Sequence, residues 1–236
     1  TALLIALSLV GVFAFTRLTQ TLVEERDSDI VQLAAQQVSA YWAESVFFLQ
    51  EIAVREPVKS GDANASQVLL SVETPLTQRF DRISITNAQG IVIATKGGEI
   101  GEDVSQQSYF DQARRNGRPV RSDLYQDARG RPIIVVAVPI YSLTGQFSGC
   151  VLGIWDLHGD LLGFPVANVR VGENGFAYLV DENGTILYHP DKDLVEADAH
   201  QHPAVADLLR GQTGARTLDF RGETTVVGYA PIPLRH

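Results

Sequence analysis

ISITNAQGIVIAT, residues 83–95, aligns without a gap to AYLVDENGTILYH, residues 177–189. Each segment reads as a strand, a four-residue turn closed by glycine, and a second strand, which is the signature of a β-hairpin. Asn87 falls on Asp181, and Gly90 on Gly184. The match continues outward. After the first hairpin come a helical stretch YFDQARRNG, then VRSDLYQD, a turn ARGRP and the strand IIVVAVPIY; after the second come PAVADLLRGQTG, ARTLDF, a turn RGE and TTVVGYAPI. The order hairpin, helix, strand, strand thus occurs twice, with LHGDLLG as a helical linker between the copies. Only the first copy shows a further strand, FSGCVLGIW, and the second is expected to be truncated at its last strand, at His236. Hairpins alternating with helices predict an α+β fold of two PAS-like lobes, each an antiparallel sheet flanked by helices.

Ahead of the lobes lies a stretch without proline or glycine, from about Thr16 to Glu56, closed by Pro57. Ile30, Leu33, Ala34, Val38, Tyr41, Phe48, Leu49 and Ile52 recur in it with helical spacing. A helix of this length, about 60 Å, exceeds what one small lobe requires. It predicts a spine laid along both lobes, with pairing against a second copy as the other use of its apolar stripe. Ahead of the spine, Ala2 to Phe15 form an uncharged apolar run, about 21 Å long as a helix, against a bilayer core of about 30 Å. The helical pattern runs on from it without a break. A retained membrane helix, only part of which is present, is therefore preferred over a buried core helix or a signal peptide cleaved after Val12-Phe13-Ala14. The chain has no Met, even at position 1, and reads as a segment of something longer. The expected organisation is a partial membrane helix at 1–15, a spine at 16–56, a first lobe at 57–157 and a second at 158–236.

A formal charge of −9 and the absence of a basic cluster argue against nucleic acid as a partner. Cys150 stands alone in FSGCVLGIW, so no intrachain disulfide or thiolate metal cage forms, and a small buried hydrophobe is the plain reading. Catalytic signatures are missing: no Walker loop, no G-x-S-x-G elbow, no H-E-x-x-H pair. GENG, at 172–175, precedes a strand and so presents no helix N-terminus to phosphate. His189, Asp191, Asp193, Asp198, His200 and His202 have ligand types suited to zinc or nickel, yet their spacing fits no closed template. A solvated loop is expected there, with neither metal nor cofactor.

SYFDQA (108–113), SDLYQDARGRPIIVVAVPIY (122–141), GCVLGIWDL (149–157) and GENGFAYLVDENGTILYHP (172–190), in this order after a long helix, resemble a double Cache sensor domain, the extracytoplasmic input module of bacterial chemoreceptors, histidine kinases and cyclic-dinucleotide enzymes. The resemblance implies a non-enzymatic sensing segment, held at the inner membrane with its lobes periplasmic or extracellular. A small ligand would sit in the membrane-distal lobe, which is the first. The output module, whether kinase, methyl-accepting region or cyclase, would lie outside the segment. One branch of the family binds amino acids through D-x-x-x-R-x-W-Y-x-x-A and an Asp on the last distal strand. Asp103, Gln107, Tyr109, Phe110 and Ala113 fall on that spacing. Gln107 stands where the carboxylate-clamping Arg would be, and Ile154 where the Asp would be, with Asp156 two residues on. Loss of the bidentate clamp argues against a standard amino-acid sensor.

The candidate ligand residues are Asp103, Gln107, Tyr109, Phe110, Asp123, Tyr125, Arg131 and Asp156. They combine aromatic walls with a few polar groups, as small-molecule pockets do. Asp123 and Tyr125 alternate and would share a face if extended. Several carboxylates without a sure basic clamp favour a cationic or neutral polar ligand. The alternative is an ectodomain that binds a partner protein or dimerises, a homodimer being expected in either case.

Overall fold

A computed structural model of the chain describes residues 2–72, 79–169, 175–220 and 223–233; the side chains of 2–21, 220, 223 and 224 lie outside that description. The side chains of the apolar run at 2–15, most of GENG and most of the RGE turn therefore fall outside it. Helix α1 runs unbroken over Ala2–Ala53. It stops before Pro57, which sits instead in the first turn of the short helix α2, Glu56–Lys59, where its missing N–H costs nothing. Helix α3 (Ala63–Val72) follows, started by the Asp62 carboxylate, which accepts from the Ala65 N–H at 2.9 Å.

The first lobe is built on an antiparallel sheet in the order β2-β1-β6-β5-β3, with β4 also on β5. Its strands are β1 (Arg82–Thr86), β2 (Val92–Lys96), β3 (Val120–Arg121), β4 (Tyr125–Gln126), β5 (Pro132–Tyr141) and β6 (Phe147–Asp156). Strand alternation divides its side chains between two cores. Ile83, Ile85, Ile134, Val136, Val151 and Trp155 face α1, where Trp155 packs between Phe80 (ring centres 4.5 Å apart) and Trp42 (4.8 Å) and donates its indole N–H to the Arg79 carbonyl at 2.6 Å. Ile133, Val135, Ala137, Cys150, Leu152 and Ile154 face the other way, onto helix α4 (Ser108–Asn116). Gly117, left-handed at φ 65°, ends α4. Cys150 is fully buried, and burial pushes its thiol up to about 12.

The second lobe holds two antiparallel pairs among the described residues: β7 (Leu179–Val180) with β8 (Ile186–Tyr188), and β9 (Gly214–Phe220) with β10 (Glu223–Tyr229). Helix α5 (Pro203–Leu209) lies between the two pairs in sequence. The lower part of α1 packs on β9 and β10, and its upper part on β5 and β6, so one helix braces both lobes.

The duplication extends to individual hydrogen bonds. Asn87 Oδ1 accepts from the N–H groups of Gln89 and Ile91, both at 3.0 Å; Asp181 Oδ1 accepts from Asn183 (2.9 Å) and Thr185 (2.8 Å). Gly90 and Gly184 both take φ +84°, which only glycine adopts without strain. Beyond each turn, Asp103 bridges Ile91 and Asp198 bridges Thr185, each just ahead of the second strand, and their carboxylates accept from the N–H groups of Ser105 (2.8 Å) and His200 (2.9 Å). Gln107 and His202 then stand in the same place, at the caps of α4 and α5. A single residue of offset separates the two series after the turns.

Candidate functional site

The face of the first sheet that α4 covers is apolar on β5 and β6 but polar on β1. Alternation along β1 puts Arg82, Ser84 and Thr86 on one side while Ile83 and Ile85 enter the opposite core. Ser84 and Thr86 are buried and bonded: Ser84 Oγ lies 2.8 Å from Thr95 Oγ1, and Thr86 Oγ1 accepts from the Cys150 N–H at 2.9 Å. Arg82 is different. Its side chain is 11% exposed, and its guanidinium lies 3.6 Å from Glu102 and 3.7 Å from Asp127. Among the described residues it makes ion pairs at these distances and no hydrogen bond within 3.5 Å.

Asp127 is the hub beside it. The turn Asp127–Arg131 repeats the hairpin design, with Asp127 Oδ1 accepting from the N–H groups of Arg129 (2.9 Å) and Arg131 (3.1 Å). Its other oxygen takes the Arg131 guanidinium in a fork, Nε at 3.1 Å and Nη2 at 2.7 Å. Burial alone would raise the Asp127 carboxyl, but these hydrogen bonds outweigh it and hold it below the usual range. Arg131 reaches on to Asp156 at 3.6 Å. Asp81, whose carboxyl burial raises, accepts from the Asp156 N–H at 2.9 Å.

Two tyrosines stand over this group. The Tyr125 hydroxyl donates to that of Tyr109 at 3.2 Å, with the rings 5.8 Å apart. Burial first, then Tyr125, pushes the Tyr109 hydroxyl well above its ordinary range; Glu102 raises it further and Arg82 opposes. Burial also raises Tyr125, opposed by its bond to Tyr109 and by Arg82. Both tyrosines are thus neutral donors and acceptors at any ordinary pH.

Of the eight sequence candidates, the structure brings Tyr109, Tyr125, Arg131 and Asp156 around Arg82 and Asp127. Phe110, 2% exposed, packs edge-on against Phe147 within the α4 core. Gln107 is half-buried at the α4 cap, and its side chain makes no capping bond. Asp103 does not join them: it is exposed and used as a turn acceptor for the backbone of Ser105, which also lowers its carboxyl. Nor does Asp123. A bend at Leu124 breaks the alternation expected through SDLYQD, leaving Asp123 exposed and facing Asp181, Glu182 and Leu187 of the second lobe, next to the Arg121–Glu182 ion pair at 2.9 Å. Arg82, Glu102 and Asp127 were not singled out from sequence. The signal was available for Arg82, since RISIT places it two residues before a buried serine.

The second lobe's His and Asp residues form turns. His189 accepts from the Asp191 N–H (2.9 Å) and packs against Phe176 and Tyr178; Asp191 accepts from Asp193 (3.1 Å), and Asp198 lies 2.6 Å from His200. Among the described residues no group of His, Cys, Asp and Glu is arranged to hold a metal. An open cavity of about 420 Å³ lies between α1 and β9, lined by Glu24, Glu25, Ser28, Asp29, Gly214 and Ala215. Among the described residues no helix is long and apolar enough to cross a membrane.

The dCache_1 model of the Cache domain matches residues 15–235. The methyl-accepting chemotaxis protein McpA of Pseudomonas putida is 29% identical over 134 residues, 56% of this chain and 20% of that protein. PscA, a methyl-accepting chemotaxis protein of Pseudomonas syringae pv. tomato, is 22% identical over 244 residues, 98% of this chain and 38% of that protein. The chain therefore spans between a fifth and two fifths of these relatives' length. Among solved structures, the ligand-binding domain of the Pseudomonas fluorescens chemoreceptor CtaA with L-isoleucine matches at TM-score 0.69 and 21% identity, over 94% of this chain and 90% of that one. That of Pseudomonas aeruginosa PctB with L-Arg matches at 0.68 and 20%, over 89% and 88%. At such identities the likeness is one of fold.

Proposed function

The chain belongs to the Cache domain family, and from that premise we propose that it is the extracytoplasmic part of a membrane receptor whose first, distal lobe binds a small molecule beside α4. The observation that supports this is the convergence of Arg82, Asp127, Arg131 and Asp156 with the Tyr109 and Tyr125 hydroxyls at the edge of an apolar core. Pockets that recognise small polar molecules have this composition: a greasy wall and a few aimed polar groups. The segment itself senses and does not catalyse. The curated relatives are methyl-accepting chemotaxis proteins, which favours a chemoreceptor output over a kinase or cyclase. Helix α1 would carry the difference between free and bound lobes toward the inner membrane, its apolar opening serving as the anchor, and the lobes would lie in the periplasm.

The ligand preference drawn from three carboxylates rests on different ones here, since Asp103 and Asp123 face solvent, and those beside Asp156 are balanced by Arg82 and Arg131. Asp127 and Glu102 take their place, so a neutral polar ligand is favoured over a purely cationic one. The test is a thermal-stability screen of the chain with amines, carboxylates, purines and sugars. One class should raise the unfolding temperature, by RT ln(1 + [L]/Kd) in free energy, and Tyr125→Phe should reduce the gain. Stabilisation by no class, or a gain untouched in Tyr125→Phe, overturns direct binding in this lobe.

One observation favours a second reading, an interaction ectodomain. Leu33 and Phe47 on α1, and Val54 just past its end, are 61%, 56% and 61% exposed and recur at multiples of seven residues, while Ala34, Val38, Leu49 and Ile52 are buried against the lobes. A seven-residue stripe is the spacing of a helix seam, and it supports a homodimer through α1. Pairing and ligand binding are compatible, and sedimentation with and without ligand separates them.

A further inference from the structure

We propose that the second lobe carries a proton sensor of its own, in which uptake of a proton by His202 loosens β9 from the spine helix α1. The inference stands apart from the ligand site of the first lobe. His202 caps α5, and its ring is half-buried, with Nδ1 enclosed and without a hydrogen-bond partner among the described residues. While the ring is neutral and its proton sits on Nε2, that orphan is a bare lone pair. A protonated ring carries N–H donors on both nitrogens, and the enclosed one then has no acceptor to meet. The backbone on either side is pinned: the His202 N–H donates to the Ala199 carbonyl, and the His202 carbonyl accepts from the Ala206 N–H, both at 2.9 Å. The residue therefore shifts only together with the first turn of α5.

The charged groups around this ring come from every element packed here. Arg216 of β9 donates through Nη1 to the carbonyl of Pro203, the residue after His202, at 3.4 Å, which sets a fixed cation beside the ring. Asp207 on α5 could accept from an imidazolium, but it is already committed. Its Oδ1 accepts from Arg210 at 2.8 Å, and its Oδ2 from Arg216 at 2.7 Å and from the Tyr229 hydroxyl of β10 at 3.3 Å. In the turn before α5, Asp198 and His200 are exposed and paired with each other. Glu24 of α1 accepts from the Thr217 hydroxyl at 2.7 Å. A proton on His202 thus meets a cation and no uncommitted carboxylate among the described residues. Burial first, then Arg216, holds the imidazole below its ordinary value. Arg216 is also the neighbour in sequence of Thr217, the side chain that ties β9 to α1. Repulsion between imidazolium and guanidinium is relieved by displacing β9, and that displacement breaks the Thr217–Glu24 bond.

An NMR titration of the imidazole signals of the chain, with amide hydrogen exchange followed from pH 7.5 to 5.5, tests the proposal. The chain has five histidines, and His202→Gln identifies the signal of interest. That signal should titrate below 6.5. After correction for the intrinsic pH dependence of exchange, the amides of β9 and of residues 22–31 in α1 should open up to about 10-fold more often at pH 5.5. That ratio is the one set by a ring that returns to a value near 6.5 once released. Amides of β5 and β6 in the first lobe should not change. His202→Gln, which places at this cap the residue that α4 has in Gln107, should remove the response, and His200→Gln should keep it. Titration of His202 at or above 6.5, an acid response retained in His202→Gln, or one shared equally by β5 and β6 overturns the proposal. The unaltered chain decides the matter even where His202→Gln folds poorly: the midpoint of the exchange response must coincide with that of the His202 signal, and a different midpoint, or no response, refutes the link.

Discussion

Gly90→Ala should be among the most damaging small substitutions in the chain, and its cost follows from two separate constraints. Gly90 sits at φ +84°, where an L-residue costs about 1–2 kcal/mol in backbone sterics. A Cβ there would also lie 2.8 Å from both Cα and N of Ser105, well inside contact distance. Ser105 cannot retreat cheaply. Its N–H donates to the Asp103 carboxylate, and the N–H of Val104 just before it donates to Gly90's own carbonyl at 2.9 Å. Relieving the clash breaks one of these bonds, at about 1 kcal/mol each. The sum is about 2–3 kcal/mol, or a fall of roughly 4–12 °C in unfolding temperature for a chain of this size. Gly184→Ala should match it, because its Cβ would meet His200 Cα at 2.9 Å in the same turn. Gly130→Ala is the control: φ is +74°, but nothing lies within 4 Å, so only the backbone cost of about 1 kcal/mol remains. Urea titrations of the three variants measure the series. Equal, small losses in all three would refute the argument that the strip after each turn is packed directly on the glycine.

Phe110→Ala should cost about 3–4 kcal/mol whether or not ligand is present, since its ring fills the α4 core; a loss confined to ligand affinity would make it a pocket wall instead. Asp127 is held below the usual carboxylate range, so its contribution to stability is complete above about pH 4 and is lost as pH falls through its folded value; acid titrations of Asp127→Asn should lack that limb. Burial, then Arg216, lowers His202, whose unfolded value is near 6.5. Stability from this residue is complete above that pH and declines as pH falls through it, and His202→Gln, the residue found at the matching cap of α4, should flatten the profile just below about pH 6.5.

The turns were legible because their chemistry is local. An Asn or Asp that accepts from the chain two and four residues on, with a glycine third after it, announces itself in four letters. The α+β plan and the position of α4 followed from that punctuation and from periodicity. The site was legible only in part. Tyr109, Tyr125, Arg131 and Asp156 stand near aromatic or turn signals, and the structure brings their side chains together. Asp103 carries the same residue type and is spent on a backbone turn, a use that sequence cannot distinguish from ligand binding without the partner N–H in view. Asp123 and Tyr125 share a face only if the segment is extended, and a bend at Leu124 breaks that two-residue period. Arg82 is absent from the sequence candidates, although the alternation Arg82, Ser84, Thr86 marks a polar face on a buried strand. What no periodicity reveals is that Asp127, 45 residues on in sequence, returns across β5 and β6 to stand beside it.

A crystal structure of the chain with the first small molecule that raises its unfolding temperature tests the account most directly. The account predicts that molecule between α4 and the sheet, within hydrogen-bond distance of Arg82 and of Tyr109 or Tyr125. Finding it in the second lobe, or on the surface of α1 with the α4 core packed as it is here, would contradict it.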